Sequence, residues 1–207
     1  GTVITFSLDT PSLALSAPQP VTWNNSTATP ITLTVAAASS TQCTEYLRNG
    51  DFERASDWTL TTTDSTARYT SAEVHQGSRA LQLGLLPSSS PGPKPALEAF
   101  STAYQDVRLP ADAQQLTLTL WVKPGTRDSN GDYQRLLLLN PRNDNLIAEL
   151  WRKLENQTTW QQLSFDLMAY RGHTVRIYLE VNNDNQRPSD RTWLYVDDIS
   201  LRDCRIP

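Results

Sequence analysis

The chain has 207 residues and a formal net charge of −4, with 22 Asp and Glu against 18 Lys and Arg. That length suffices for a core without help from a cofactor, and fits one large β domain or one domain with an appendage. The acidic balance leaves no basic footprint for nucleic acid or an anionic membrane. No apolar run is long enough to span a bilayer as a helix. The sequence opens on Gly1 with no signal peptide, as expected where a leader has been removed.

Residues 1–42 differ from the rest. They are rich in Thr, Ser, Ala and Pro, with apolar alternation around Phe6 and Leu8 and again at Ile31, Leu33 and Val35. Pro11, Pro18, Pro20 and the Asn24-Asn25 turn signal lie between. Two readings stay open: the remnant of a preceding immunoglobulin-like domain, or an extra hairpin. Either favours ordered strands over a linker, which would not need those apolar residues.

From residue 43 onward the period is two. Leu81/Leu83, Leu116/Leu118/Leu120/Val122, Leu163/Phe165/Leu167, Val175/Ile177/Leu179/Val181 and Ile199/Leu201 each put one apolar face inward. Residues 136–139 and 146–150 are more continuously apolar, which fits either central strands covered on both sides or helix-like segments. Residues 95–103 are the one stretch that could form a helical turn. Polar turns separate the runs, among them Lys123-Pro124-Gly125 and Ser129-Asn130-Gly131-Asp132. Many short strands with such turns predict an all-β, two-sheet antiparallel sandwich.

The two cysteines stand at the ends of this region, Cys43 before an opening strand and Cys204 in a closing one. Neither has metal-ligand spacing. They are compatible with one disulfide or two inert thiols; their flanking placement favours the bridge and an oxidising, extracellular setting. If the end strands lie side by side, Glu53 also approaches Asp197, which by simple alternation shares a face with Ile199 and Leu201.

Asn49-Gly50-Asp51-Phe52-Glu53, then Trp58, His75-Gln76-Gly77-Ser78-Arg79, Tyr104-Gln105-Asp106-Val107-Arg108-Leu109-Pro110 and Tyr195-Val196-Asp197-Asp198-Ile199-Ser200-Leu201 occur in that order. Together they resemble the galactose-binding-like jelly rolls, in particular carbohydrate-binding modules of families 4, 9 and 22 on secreted bacterial proteins. The resemblance covers residues 43–204 and implies a jelly-roll β-sandwich with a structural calcium ion. Carried over, Glu53 and Asp197 supply carboxylates while Asp51, His75 and Ser78 supply carbonyl oxygens, a mixture that suits calcium. The alternative is that Glu53 and Asp197 hydrogen-bond to loop backbone. The resemblance also marks Trp58 and Trp160 as core landmarks.

Sugar recognition needs flat apolar rings beside polar groups. Trp121 falls opposite Leu118 and Leu120; Tyr178 falls opposite Ile177 and Leu179, flanked by Arg176 and Glu180. If those strands are neighbours, Trp121, Arg176, Tyr178 and Glu180 line one sheet; otherwise an aromatic there plugs the space under a loop. Tyr133, Trp151 and Trp193 lie near loops that can rim a cleft. Asp128-Ser129-Asn130-Gly131-Asp132 looks like a calcium loop but lacks the glycine and distal glutamate of an EF-hand, and reads as a hairpin turn. Nucleophile and metalloprotease motifs are absent. The reading is a secreted, non-catalytic, calcium-stabilised module that binds glycan, as part of a larger multidomain protein. The alternative is a structural or protein-interaction module without glycan affinity.

Overall fold

Period-two alternation becomes eleven strands in the computed structural model, which describes residues 41–63, 65–87, 98–184 and 190–205. The readings placed on residues 1–40 lie outside the described residues. In chain order the strands are β1 (Gln42–Glu45), β2 (Thr59–Leu60), β3 (Arg68–Thr70), β4 (Ala80–Gly84), β5 (Ala99–Arg108) and β6 (Leu116–Thr126). They continue as β7 (Tyr133–Leu139), β8 (Leu146–Lys153), β9 (Gln161–Asp166), β10 (Thr174–Asn183) and β11 (Thr192–Arg205), with one helical turn at Met168–Tyr170.

Two antiparallel sheets result. One runs β3-β4-β11-β6-β9, with β1 joined to β11; the other runs β2-β5-β10-β7-β8. Leu116, Leu118, Leu120, Leu194, Leu201, Leu81 and Leu83 point inward from the first and are fully buried. Leu136, Leu138, Val175, Ile177, Leu179 and Val181 meet them from the second. Burying each such side chain contributes about 2 kcal/mol of transfer free energy, so this interleaved layer holds the sheets together. Leu118→Ala, which leaves a cavity in that layer, should cost about 3 kcal/mol. Trp58 is buried in the same layer, 5.3 Å from Phe52, and donates its indole N–H to the Asn49 carbonyl at 3.1 Å.

A disulfide joins Cys43 to Cys204 across 161 residues of chain. It ties the short β1 to β11, alongside the Tyr46 N–H to Leu201 carbonyl bond at 2.9 Å.

Four expectations need correction. The apolar run in β8 belongs to an edge strand rather than a covered centre, and leaves Leu146 61% and Ile147 40% exposed. Residues 99–103 are extended, as the start of β5, because they pair with β10. Trp160 is only half-buried at the start of β9 and packs edge-on against His75 at 5.7 Å, outside the core. Finally, β11 carries a bulge between Asp197 and Ser200, where Asp198 takes a left-handed φ of 46°. An extra residue in one strand reverses the alternation beyond it. Asp197 therefore pairs with Trp121 on the outward face, while Leu201 pairs with Leu118 on the inward one.

Candidate functional site

The predicted calcium residues gather around one loop, residues 75–79. Glu53 takes the backbone N–H groups of Ser78 at 2.7 Å and Arg79 at 3.0 Å, and the Ser78 hydroxyl as well. Those bonds, the Ser78 hydroxyl first, hold its carboxyl below the usual range. Gly77 has a φ of +70°, and a Cβ there would come within 2.2 Å of Glu53 Oε1, so only glycine lets the loop fold over this carboxylate. From the other side Asp197, fully buried, accepts the N–H groups of His75 at 2.9 Å, Gln76 at 3.3 Å and Asp198 at 2.9 Å.

Burial pushes the Asp197 carboxyl up to about 6, against the pull of those amides. His75 turns its ring toward Asp198, 2.6 Å away, and lies flat on Trp121 with centroids 4.0 Å apart. Asp51 is exposed in the preceding turn. Glu53 and Asp197 thus anchor the 75–79 loop from two sides through hydrogen bonds to its backbone.

A second acidic group lies elsewhere. Asp128, Asp132 and Asp184 bring carboxylate oxygens within 4.8 Å of one another, a set that could hold a metal ion.

The four predicted sugar contacts do not converge. Trp121 stands on β6 in one sheet; Arg176, Tyr178 and Glu180 stand on β10 in the other. Alternation places each on the outward face of its own strand but says nothing about which strands are neighbours. Around β10 the structure adds residues that the periodicity does not single out.

β5 sets Tyr104 directly beside Tyr178, with near-parallel rings 6.1 Å apart, and Asp106 beside Arg176. Asp106 grips the Arg176 guanidinium through both carboxylate oxygens at 2.7 and 3.0 Å, and Asp144 takes a third bond. The guanidinium so fixed covers the Tyr104 ring at 3.9 Å. On the other flank β7 sets Arg135 beside Glu180, bonded at 2.8 Å. Tyr133, beside Asn182, is covered by the guanidinium groups of Arg135 at 4.8 Å and Arg152 at 4.4 Å.

Burial raises Glu180, and Arg135 opposes the shift. Tyr133 is pushed up to about 12 by burial first and then by the Glu180 charge, so it remains a donor at neutral pH. Burial likewise raises Tyr178. Among the described residues no cation covers the Tyr178 ring.

Among the described residues this face therefore offers one aromatic ring without a cation over it, flanked by the paired Arg176–Asp106 and Arg135–Glu180 groups. That combination suits a neutral, hydroxyl-rich ligand better than a strongly charged one. Tyr104 and Asp106 lie in a motif already visible in the sequence; the signal needed to enlist them was the β5–β10 pairing. Of the other loop aromatics, Trp151 packs against the core. Trp193 lines a cleft of about 450 Å³ with Glu73, Lys123 and Tyr195 on the opposite sheet. Side-chain chemistry marks the β5-β10-β7 face.

No family model matches the sequence, and no curated protein does. Solved structures do. TmCBM61 in complex with beta-1,4-galactotriose matches with a TM-score of 0.50 at 20% identity, over 76% of this chain and 97% of that one. The N-terminal CBM22-1-CBM22-2 tandem domain from Paenibacillus barcinonensis Xyn10C matches with a TM-score of 0.50 at 18% identity, over 77% of this chain and 50% of that one. The chain thus shares with these carbohydrate-binding modules an all-β, two-sheet jelly-roll fold.

Proposed function

We propose that the chain is a non-catalytic, calcium-stabilised module of a larger secreted protein, and that it binds a neutral glycan on the outward face of β5, β10 and β7. The observation that carries this reading is Tyr178 standing uncapped among the Arg176–Asp106 and Arg135–Glu180 pairs. Sugar C–H faces stack on such a ring, and hydroxyls exchange hydrogen bonds with the fixed charges around it.

Tyr133 lies level with Asn182, four residues along β10 from Tyr178. At about 3.3 Å per residue it stands roughly 13 Å from Tyr178 along the strand, and with its ring covered by Arg135 and Arg152 it bounds the face rather than adding a second stacking ring. The disulfide supports an extracellular setting, since such bridges persist in oxidising compartments.

The test is retention of the chain on a panel of soluble neutral polysaccharides in native affinity electrophoresis. Retention on at least one of them, lost in Tyr178→Ala and kept in Trp121→Ala, is expected. A panel on which the unaltered chain is never retained would overturn the glycan reading.

The protein-interaction alternative draws on one observation, the exposure of Leu146 and Ile147 on edge strand β8. An apolar edge is a surface on which another chain can pair.

A further inference from the structure

The β6–β7 loop holds the acidic group noted above. Asp132, the last residue before β7, is 5% exposed, and its Oδ1 accepts the Asp184 N–H at 2.7 Å from just beyond β10. Its Oδ2 is buried with no hydrogen-bond partner. The polar groups around it are paired. Asp128 accepts the N–H groups of Ser129 at 2.7 Å and Asp132 at 3.0 Å. The Thr192 hydroxyl meets that of Thr126 at 2.7 Å, and Asn183 bonds the Thr192 backbone twice, at 2.8 and 3.0 Å.

Among the described residues Asp132 Oδ2 has at most the Thr192 hydroxyl beside it, so a buried carboxylate crowded by two others is short of positive charge. The surrounding chain is shaped for close approach. Gly131 has a φ of +110°, and a Cβ there would come within 2.0 Å of Asp184 Oδ2. Calcium–oxygen bonds run about 2.4 Å, so oxygens on one ion lie at most about 4.8 Å apart. The oxygens of Asp128, Asp132 and Asp184 all fall within that limit.

We propose that Asp128, Asp132 and Asp184 hold a hard divalent cation, for which calcium is the best match, between the β6–β7 loop and the end of β10. Calcium tolerates an irregular cage of carboxylate, carbonyl and water oxygens, whereas magnesium demands a near-ideal octahedron. The site deepens the calcium part of the proposed function and does not depend on the glycan part. It also has a mechanical consequence: the loop and the strand end that it joins lead into Tyr133 on β7 and Asn182 on β10, the far end of the tyrosine face.

The experiment titrates the full, chelator-treated chain with calcium chloride, and separately with magnesium chloride, by calorimetry, alongside thermal melts with and without each ion. A single ion-binding event that raises the melting temperature is expected. Asp132→Asn should abolish both effects, and Asp184→Asn should weaken binding at least about tenfold, while Glu53→Gln keeps both. Asp184 is partly exposed, so its variant carries the test if Asp132→Asn fails to fold. Binding that persists in both aspartate variants, or is lost only in Glu53→Gln, would overturn this site while leaving a calcium-stabilised module. No binding of either ion by the unaltered chain would overturn both.

Discussion

Trp121 on β6 and Tyr178 on β10 begin from the same local pattern, an aromatic residue on the outward side of a strand whose inward side is leucine and isoleucine. Their fates differ because of what lies above them. Over Trp121 the 75–79 loop is tied down by Glu53 on one side and Asp197 on the other, and His75 closes onto the indole. Beside Tyr178, among the described residues, stand Tyr104 and Leu137 on adjacent strands, and no loop anchored in this way covers its ring. A sheet face is covered or left open according to whether a loop has carboxylates to anchor it. The aromatic residue itself does not decide.

The largest expected effect bears on the closed side. The Cys43–Cys204 bridge secures β1 to β11, in the sheet that carries Trp121. In the chain-entropy model its removal costs about 5 kcal/mol. Cys43→Ser with Cys204→Ser should lower the denaturant midpoint steeply, while the folded fraction keeps whatever the tyrosine face binds. A double variant as stable as the unaltered chain would mean that the bridge does not organise the domain.

Next comes the plug itself. Trp121→Ala removes the ring that supports His75 and should cost about 3 kcal/mol of stability, with glycan retention unchanged. On the open side the consequences reverse: Tyr178→Ala should leave the unfolding midpoint nearly in place but weaken glycan binding at least tenfold, about 1.4 kcal/mol. If the two variants shifted stability and binding in parallel, the distinction between a closed and an open face would fail.

Period two carries which side a residue faces, so the core of β6, β10 and β11 and the outward placement of both aromatics were legible in the sequence. Strand neighbours were not, because nothing in Trp121 or Tyr178 encodes that β10 lies between β5 and β7. Tyr104 and Asp106 stood in a noticed motif without a partner to give them meaning. Arg135 was hidden beside the Leu136–Leu139 apolar run. The bulge at Asp198 has no side-chain signature beyond an aspartate tolerant of positive φ, so simple alternation put Asp197 on the wrong face. The acidic group escaped for a different reason: Asp184 lies 52 residues from Asp132, and a loop pattern read along the chain cannot see a ligand supplied by another strand's end.

The smallest effect separates the two carboxylates that hold the lid. Burial lifts Asp197 to about 6, whereas hydrogen bonds from Ser78 and Arg79 lower Glu53. An unfolded aspartate titrates near 3.9, so the folded state takes up the Asp197 proton first as pH falls. Its contribution to stability is therefore present at low pH and lost as pH rises through about 4 to 6. Glu53 acts in the opposite sense, giving stability that is present above the ordinary glutamate range and lost as pH falls through its lowered value. Between pH 7 and pH 5 the Asp197 contribution alone should raise stability by about 1 kcal/mol. The measurement is a comparison: urea midpoints at the two pH values for the unaltered chain and for Asp197→Asn. The variant is expected to be less stable throughout, with backbone donors left poorly matched, and to lose the gain on acidification. An equal gain in both proteins would show that Asp197 is not the group that titrates, and the view of the closed face as a buried, amide-held carboxylate would have to be abandoned.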